Sequence, residues 1–261
     1  CILYNEVLYF LPEELKDNFE ISFAAIGDAN SDRAPIQITD FAAGAELDMN
    51  IATLYPEGGG GGQARETYEL LAYYYAHKCK MPNALEQPRP LFIFVGDEGF
   101  YSKTNRQYVN DLIGDKLSTD LVSEDVFKEL QAQFSVYILR IKYDNPSYEK
   151  SINKQWEEVL GESNVIMMKD PRRVVDVIIG IVAAVVDGFD AFKERIEIRQ
   201  TKEQIEQVYS SLSGIEPGYH KKYVYEIAAL ECPRCKAKMT DVPDYGHPVK
   251  CDSCGYLIVR I

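Results

Sequence analysis

Four cysteines fall as two Cys-x-x-Cys pairs, Cys232 with Cys235 and Cys251 with Cys254, separated by fifteen residues. A two-residue gap lets a tight turn aim two thiolates at one ion, so two such knuckles at this separation predict a four-thiolate zinc site. Pro233 and Gly255 suit those turns. The roughly 30 residues around them bury too little to fold unaided, so the metal would supply the folding energy. A shell of four thiolates has no open position, which makes the zinc structural rather than catalytic. His247 would join the shell only by displacing a thiolate. The other two of the six cysteines, Cys1 and Cys79, show no pairing pattern, and this usage fits metal binding in a reducing compartment rather than a disulfide framework.

A second set of candidates is acidic. Five glycines, Gly58, Gly59, Gly60, Gly61 and Gly62, run into Gln63-Ala64-Arg65-Glu66-Thr67. No Lys-Ser or Lys-Thr follows, so this is not a P-loop, and residues 51–57 make a poor strand for a dinucleotide fingerprint. Asp28 follows a strand read over residues 19–27, and Asp97 follows one read from Leu91 to Val95. Ligands of an open parallel sheet sit beyond the carboxyl ends of its strands. Asp28 and Asp97 therefore belong to one rim, which Glu66 and Thr67, at the start of the next helix, would also reach. Hard oxygen ligands gathered there suit Mg²⁺, Mn²⁺ or Ca²⁺, and bare glycine backbone lets the loop pass close to them. The plainer alternatives are turn or cap roles for the two aspartates and a glycine loop that holds no ligand.

The elements that must position these groups alternate. Helical spacing starts at Leu3. The strand over 19–27 and a short strand over 36–41 follow, then a helical turn or two over 44–54. Past the glycines, Tyr68, Leu71, Ala72 and Tyr75 share one helix face. Leu91 to Val95 is an unbroken apolar run, as a central parallel strand requires. Two helical patches cover 103–131, the second opening at Ser123. A strand over 134–141, a helix stopped by Gly161, a strand over 164–170 and a helix with Pro171 in its first turn complete the series. Trp156 and the Tyr73–Tyr75 run read as packing. This order predicts an α/β fold, a doubly wound, mostly parallel sheet over residues 1–190. A charged helical connector and linker over 191–229 and a zinc module over 230–261 follow.

The 261 residues carry a net charge of −13, and no basic stripe crosses the first 190, which argues against direct nucleic-acid contact. The cluster His220-Lys221-Lys222 is short. No apolar run reaches the ~18 residues that span a bilayer; the longest, residues 174–189, contains Asp176 and Asp187. No membrane partner is expected, and the location read from these features is cytoplasmic or otherwise intracellular.

The order of helix, "FEISFAAIGD", glycine-rich loop, "ARETYELLAYYY", "LFIFVGDEG", "SVYILRI" and "WEEVLGESNVIMMKDPRRVVDVI" resembles a von Willebrand factor A (vWA) domain over residues 1–190, and the last 30 residues resemble a zinc ribbon. The vWA resemblance implies a rim cation of the MIDAS type, with Asp97 as the acidic residue after the fourth strand and Thr67 or Glu66 as the ligand from the glycine-led helix. It also implies a protein partner whose acidic side chain completes the metal shell. That family carries Asp-x-Ser-x-Ser on a central first strand. Here only "DANSD", Asp28 to Asp32, approximates the motif, after what would be the second strand. The resemblance thus leads us to expect a further strand upstream.

The function expected is a cation-dependent protein-interaction module: a non-catalytic subunit or adaptor of an intracellular assembly, with AAA+ ATPase systems among those the resemblance suggests. The pairing of the two modules also resembles subunits of the transcription and repair factor that opens DNA, which gives a scaffold role as one alternative. A divalent-metal hydrolase is the other. It lacks a nucleophile beside a base, and His77, His220 and His247 are scattered.

Overall fold

The computed structural model describes residues 1–58, 64–82, 84, 88–215, 232, 235–238, 249–251, 253–254 and 257–258. In chain order the elements are α1 (Ile2–Phe10), α2 (Glu13–Lys16), β1 (Ala24–Ile26), β2 (Ile36–Ile38), α3 (Glu46–Thr53), β3 (Arg65–Glu66), α4 (Tyr68–His77), β4 (Leu91–Gly96), β5 (Gly99–Phe100), β6 (Lys103–Thr104), α5 (Arg106–Tyr108) with a π turn over Val109–Ile113, β7 (Leu121–Val122), α6 (Ser123–Gln133), β8 (Ser135–Arg140), α7 (Pro146–Leu160), β9 (Val165–Met167), α8 (Val174–Val185), α9 (Phe189–Arg199), α10 (Lys202–Leu212), β10 (Val249–Lys250) and β11 (Leu257–Ile258).

The central sheet is parallel, in the order β4-β8-β9, with Leu91 opposite Ser135 and Ile138 opposite Val165. Parallel neighbours need crossovers, and α6 and α7 lie on them. Side chains of a strand alternate between faces. Phe92, Phe94, Val136 and Ile138 enter an aromatic core with Tyr68, Phe127 and Trp156 from α4, α6 and α7. Tyr137, Leu139 and Ile166 enter a second core with Val7, Val177, Ile181, Phe192 and Val208 from α1, α8, α9 and α10. Helices thus cover both faces of the sheet. The caps explain two helix boundaries. Asn145 accepts from the Ser147 amide at 3.0 Å and starts α7. Gly161, at φ 85°, ends it with a backbone conformation that favours glycine.

Several elements differ from the sequence reading. The strand expected over 19–27 is regular only from Ala24 to Ile26. It pairs antiparallel with β2, and a bridge joins Ile21 to Ala42. Arg65 and Glu66, expected in the first turn of a helix, form β3 instead, paired parallel with Gly99 and Phe100; the helix starts at Tyr68. The two helical patches expected over 103–131 are present, the second opening at Ser123, but the first is a short α5 with its π turn, flanked by the antiparallel β6–β7 pair that the sequence did not mark. Within the stretch read as a connector, a capping box at Thr201 and Gln204 divides α9 from α10. Their apolar stripes, Phe192 and Ile196, then Val208 and Leu212, are buried in the second core.

No helix among the described residues is long and apolar enough to cross a membrane.

Candidate metal centre and acidic rim

The four cysteines converge. Cys251 directly follows β10, and Cys254 lies in the turn before β11, with which β10 pairs antiparallel. In the first knuckle Lys236 donates its amide to the Cys232 carbonyl, and Cys232 donates to the Ala237 carbonyl, both at 2.8 Å. Closing this turn takes Lys236 to φ 60°. The four sulfurs lie within 4.8 Å of one another. Cys232 and Cys254 are 3.7 Å apart, as are Cys235 and Cys251. A tetrahedron with zinc–sulfur bonds of about 2.3 Å has edges of about 3.8 Å, so the observed spacing fits zinc. Cys232 and Cys251 are buried, and Cys235 is exposed. His247 and the His220-Lys221-Lys222 cluster lie outside the described residues.

The rim beyond the strand ends is built from β1, β3, β4 and α4. Thr67, just ahead of α4, donates its hydroxyl to the Gly27 carbonyl at 2.5 Å and its amide to the same oxygen at 3.1 Å. The next residue, Tyr68, places its hydroxyl where a Cβ at Gly96 would stand, which is why the end of β4 carries no side chain there. One helix start thus ties together the ends of β1 and β4.

Asp28 is buried and fully engaged. Its Oδ1 accepts from the amide and the side chain of Asn30, at 3.0 and 2.8 Å, and its Oδ2 accepts from the Tyr101 hydroxyl at 2.9 Å. Asp32 folds back to accept the Asp28 amide at 2.7 Å. These bonds give Asp28 the turn-stabilising role that aspartate often takes. The Asp97–Glu98 turn is held by its carbonyls: Arg140 Nη2 donates to Asp97 at 3.0 Å and Trp156 Nε1 to Glu98 at 2.9 Å.

The carboxylates influence one another strongly. The Glu66 carboxyl is raised well above its ordinary range, first by burial, then by a hydrogen bond shared with Glu98, then by the charges of Glu98, Asp32 and Asp28. Glu98 is raised by burial and by Asp97, Asp28 and Asp32, while its bond to Glu66 opposes the shift. Crowded, half-buried carboxyls are pushed in this direction because burial and like charges both disfavour the ionised form. The Tyr68 hydroxyl is pushed upward by burial and then by Asp97, Glu66 and Glu98. On α4, burial raises the Glu69 carboxyl to about 8, against the lowering effect of backbone amides including that of Tyr101. The Glu66 Oε2 is buried without a hydrogen-bond partner.

Asp28, Glu66, Thr67 and Asp97 thus share one region. Asp32, from the DANSD stretch, shares it too, as do Glu69, Glu98 and Tyr101, three residues that sequence reasoning missed. The pair Asp97-Glu98 at the end of an apolar strand was the signal available for Glu98. The rim carboxylates are not drawn into a tight shell. Among the described residues, only the four cysteines bring three or more acidic, histidine or thiolate ligand atoms within 4.8 Å of each other. Gly58 is exposed, and Gly59 to Gly62 lie outside the described residues.

No family model, curated protein or solved structure matches the chain.

Proposed function

We propose that the chain is a non-catalytic docking module of an intracellular assembly, with AAA+ ATPase systems among the candidates. Its acidic rim takes Mg²⁺ or Ca²⁺ and, through the ion, an acidic side chain of a protein partner. The observation that carries this reading is the buried, unpartnered Glu66 oxygen set among Asp28, Asp32, Asp97 and Glu98. A cation would relieve the repulsion among these carboxylates, and its binding would release protons that the raised carboxyls hold. Rim and ribbon divide the labour: zinc braces the C-terminal module, and the partner contact belongs to the rim.

Calorimetric titration of Mg²⁺ and of Ca²⁺ tests the reading, run in two buffers of different ionisation enthalpy. Saturable binding with proton release is expected for the wild type, weakened at least about tenfold, or about 1.4 kcal/mol, in Glu66→Gln and Asp97→Ala. Partner capture should then fail both with chelator and in Asp97→Ala. A wild-type protein that takes up neither ion at millimolar concentration would overturn the cation reading.

A further inference from the structure

The four thiolates of the C-terminal cage are not equivalent. Cys232 is 0% and Cys251 4% exposed, Cys254 is half-buried, and Cys235 stands in solvent. The first knuckle sets the contrast. Its two backbone bonds run between Cys232 and the Lys236–Ala237 pair, which places Cys232 at the base of the turn and Cys235 at its outer corner. A thiolate, not a thiol, is the nucleophile towards oxidants, and a cysteine that ligates zinc is already a thiolate. Cys79 differs on this point: burial pushes its thiol up, so it stays protonated and slow. The Cys251 sulfur lies 3.7 Å from that of Cys235 and comes from the other knuckle. A disulfide has a sulfur–sulfur bond of about 2.0 Å, so closing the gap takes a shift of less than about 2 Å.

We propose that Cys235 is an oxidation site for hydrogen peroxide and that it forms its first disulfide with Cys251, across the two knuckles, to release the zinc. The Cys235 thiolate attacks one peroxide oxygen. The sulfur–oxygen bond forms, the oxygen–oxygen bond breaks, hydroxide leaves, and Cys235 becomes a sulfenic acid. The Cys251 thiolate then attacks the Cys235 sulfur, the disulfide forms, and a second hydroxide leaves. Two thiolates have given two electrons to one peroxide. Cys232 and Cys254 remain, two ligands where a structural zinc takes four, so the ion is lost. With it goes the folding energy of the module. The aromatic core and the second core contain none of the four cysteines, so the α/β part stays folded. A dithiol reverses the step by thiol–disulfide exchange and is itself oxidised. The inference rests on the zinc reading of the cage and is independent of the rim.

The test uses the full chain loaded with zinc, its content fixed by elemental analysis. Hydrogen peroxide is added with a chromophoric chelator that reports released zinc. Samples taken when half the zinc has left are alkylated, digested without reduction and mapped by mass spectrometry. Zinc release should match disulfide formation one for one, with Cys235–Cys251 as the first crosslink and Cys79 still open to alkylation. A dithiol with added Zn²⁺ should restore the loaded protein. Cys235→His keeps a Cys3His shell, itself a zinc site, and should release zinc at least about tenfold more slowly. Cys251→His keeps the exposed thiolate without its resolving partner, so dimedone should trap a sulfenic acid at Cys235. Should a histidine variant hold no zinc, the wild-type map decides. Zinc that stays bound under peroxide overturns the proposal alone, whereas a chain that takes up no zinc overturns the reading of the cage with it. A first crosslink within one knuckle, or release from Cys235→His at the wild-type rate, overturns the assignment of Cys235.

Discussion

Trp156 donates its indole N–H to the carbonyl of Glu98 at 2.9 Å, so the largest side chain of the aromatic core fixes the acidic turn of the rim. Trp156→Phe keeps an aromatic ring but removes the donor. Orphaning a buried carbonyl costs about 1–3 kcal/mol. Urea unfolding should show that loss, and amide exchange at Asp97 and Glu98 should quicken more than at β9.

Arg140, fully buried in β8, pairs with Glu149 at 3.0 Å and holds the other half of the same turn through the Asp97 carbonyl. Arg140→Met leaves Glu149 without its cation, and breaking a buried pair on one side costs about 3–5 kcal/mol. Removing both charges together, Arg140→Met with Glu149→Leu, should recover part of the loss. A double-mutant cycle by chemical denaturation measures the difference.

Thr67 carries two bonds to Gly27. Thr67→Ala removes the hydroxyl bond and should cost about 1 kcal/mol without added cation, while Thr67→Ser should cost less. A Thr67→Ala protein as stable as wild type in metal-free buffer would show that the hydroxyl does not join β1 to α4.

Glu69 sets a pH dependence. Its folded-state value, about 8, stands above the ordinary 4.5 because burial disfavours the charged form. The folded state therefore holds a proton that the unfolded chain has released. This contribution is fully present below about 4.5 and is lost as pH rises through about 8. Glu66 acts in the same direction. Glu69→Gln should flatten the decline between those values, and its gain over wild type at the alkaline end should be on the order of a few kcal/mol. Denaturation midpoints across pH 4 to 9, a range of about five units, provide the measurement.

Zinc should be found at one ion per chain by elemental analysis. Its removal by a strong chelator, or Cys251→Ser, should collapse amide dispersion for residues 232–258 because binding supplies about 10–16 kcal/mol of folding energy in such modules. Retained dispersion after complete zinc loss would refute the structural role.

The thiolate spacing was legible because ligand geometry is local: two turns fix four sulfurs. β4 and β8 were legible as apolar runs, and the end of α7 by Gly161. The rim was legible only in outline. Asp28 and Asp97 could be placed at strand ends, but the crowding of Glu66 against Glu98 depends on β3 pairing with β5, a contact between short segments that no periodicity marks. The burial of α9 and α10 was hidden for a related reason. Each exposes a broad charged face and buries a narrow stripe, so composition reads as connector where packing reads as core.

β8 has Val136 and Ile138 in one core and Tyr137 and Leu139 in the other, all four buried, with a parallel neighbour on each side. No opening of either helical layer alone frees its amides. They should be the last in the chain to trade hydrogen with solvent, at a rate set by global unfolding. A ligand seated above one layer and a contact made on the opposite layer would therefore both be felt by this single strand, which makes β8 the natural place to look for thermodynamic cross-talk between the two sides of the molecule.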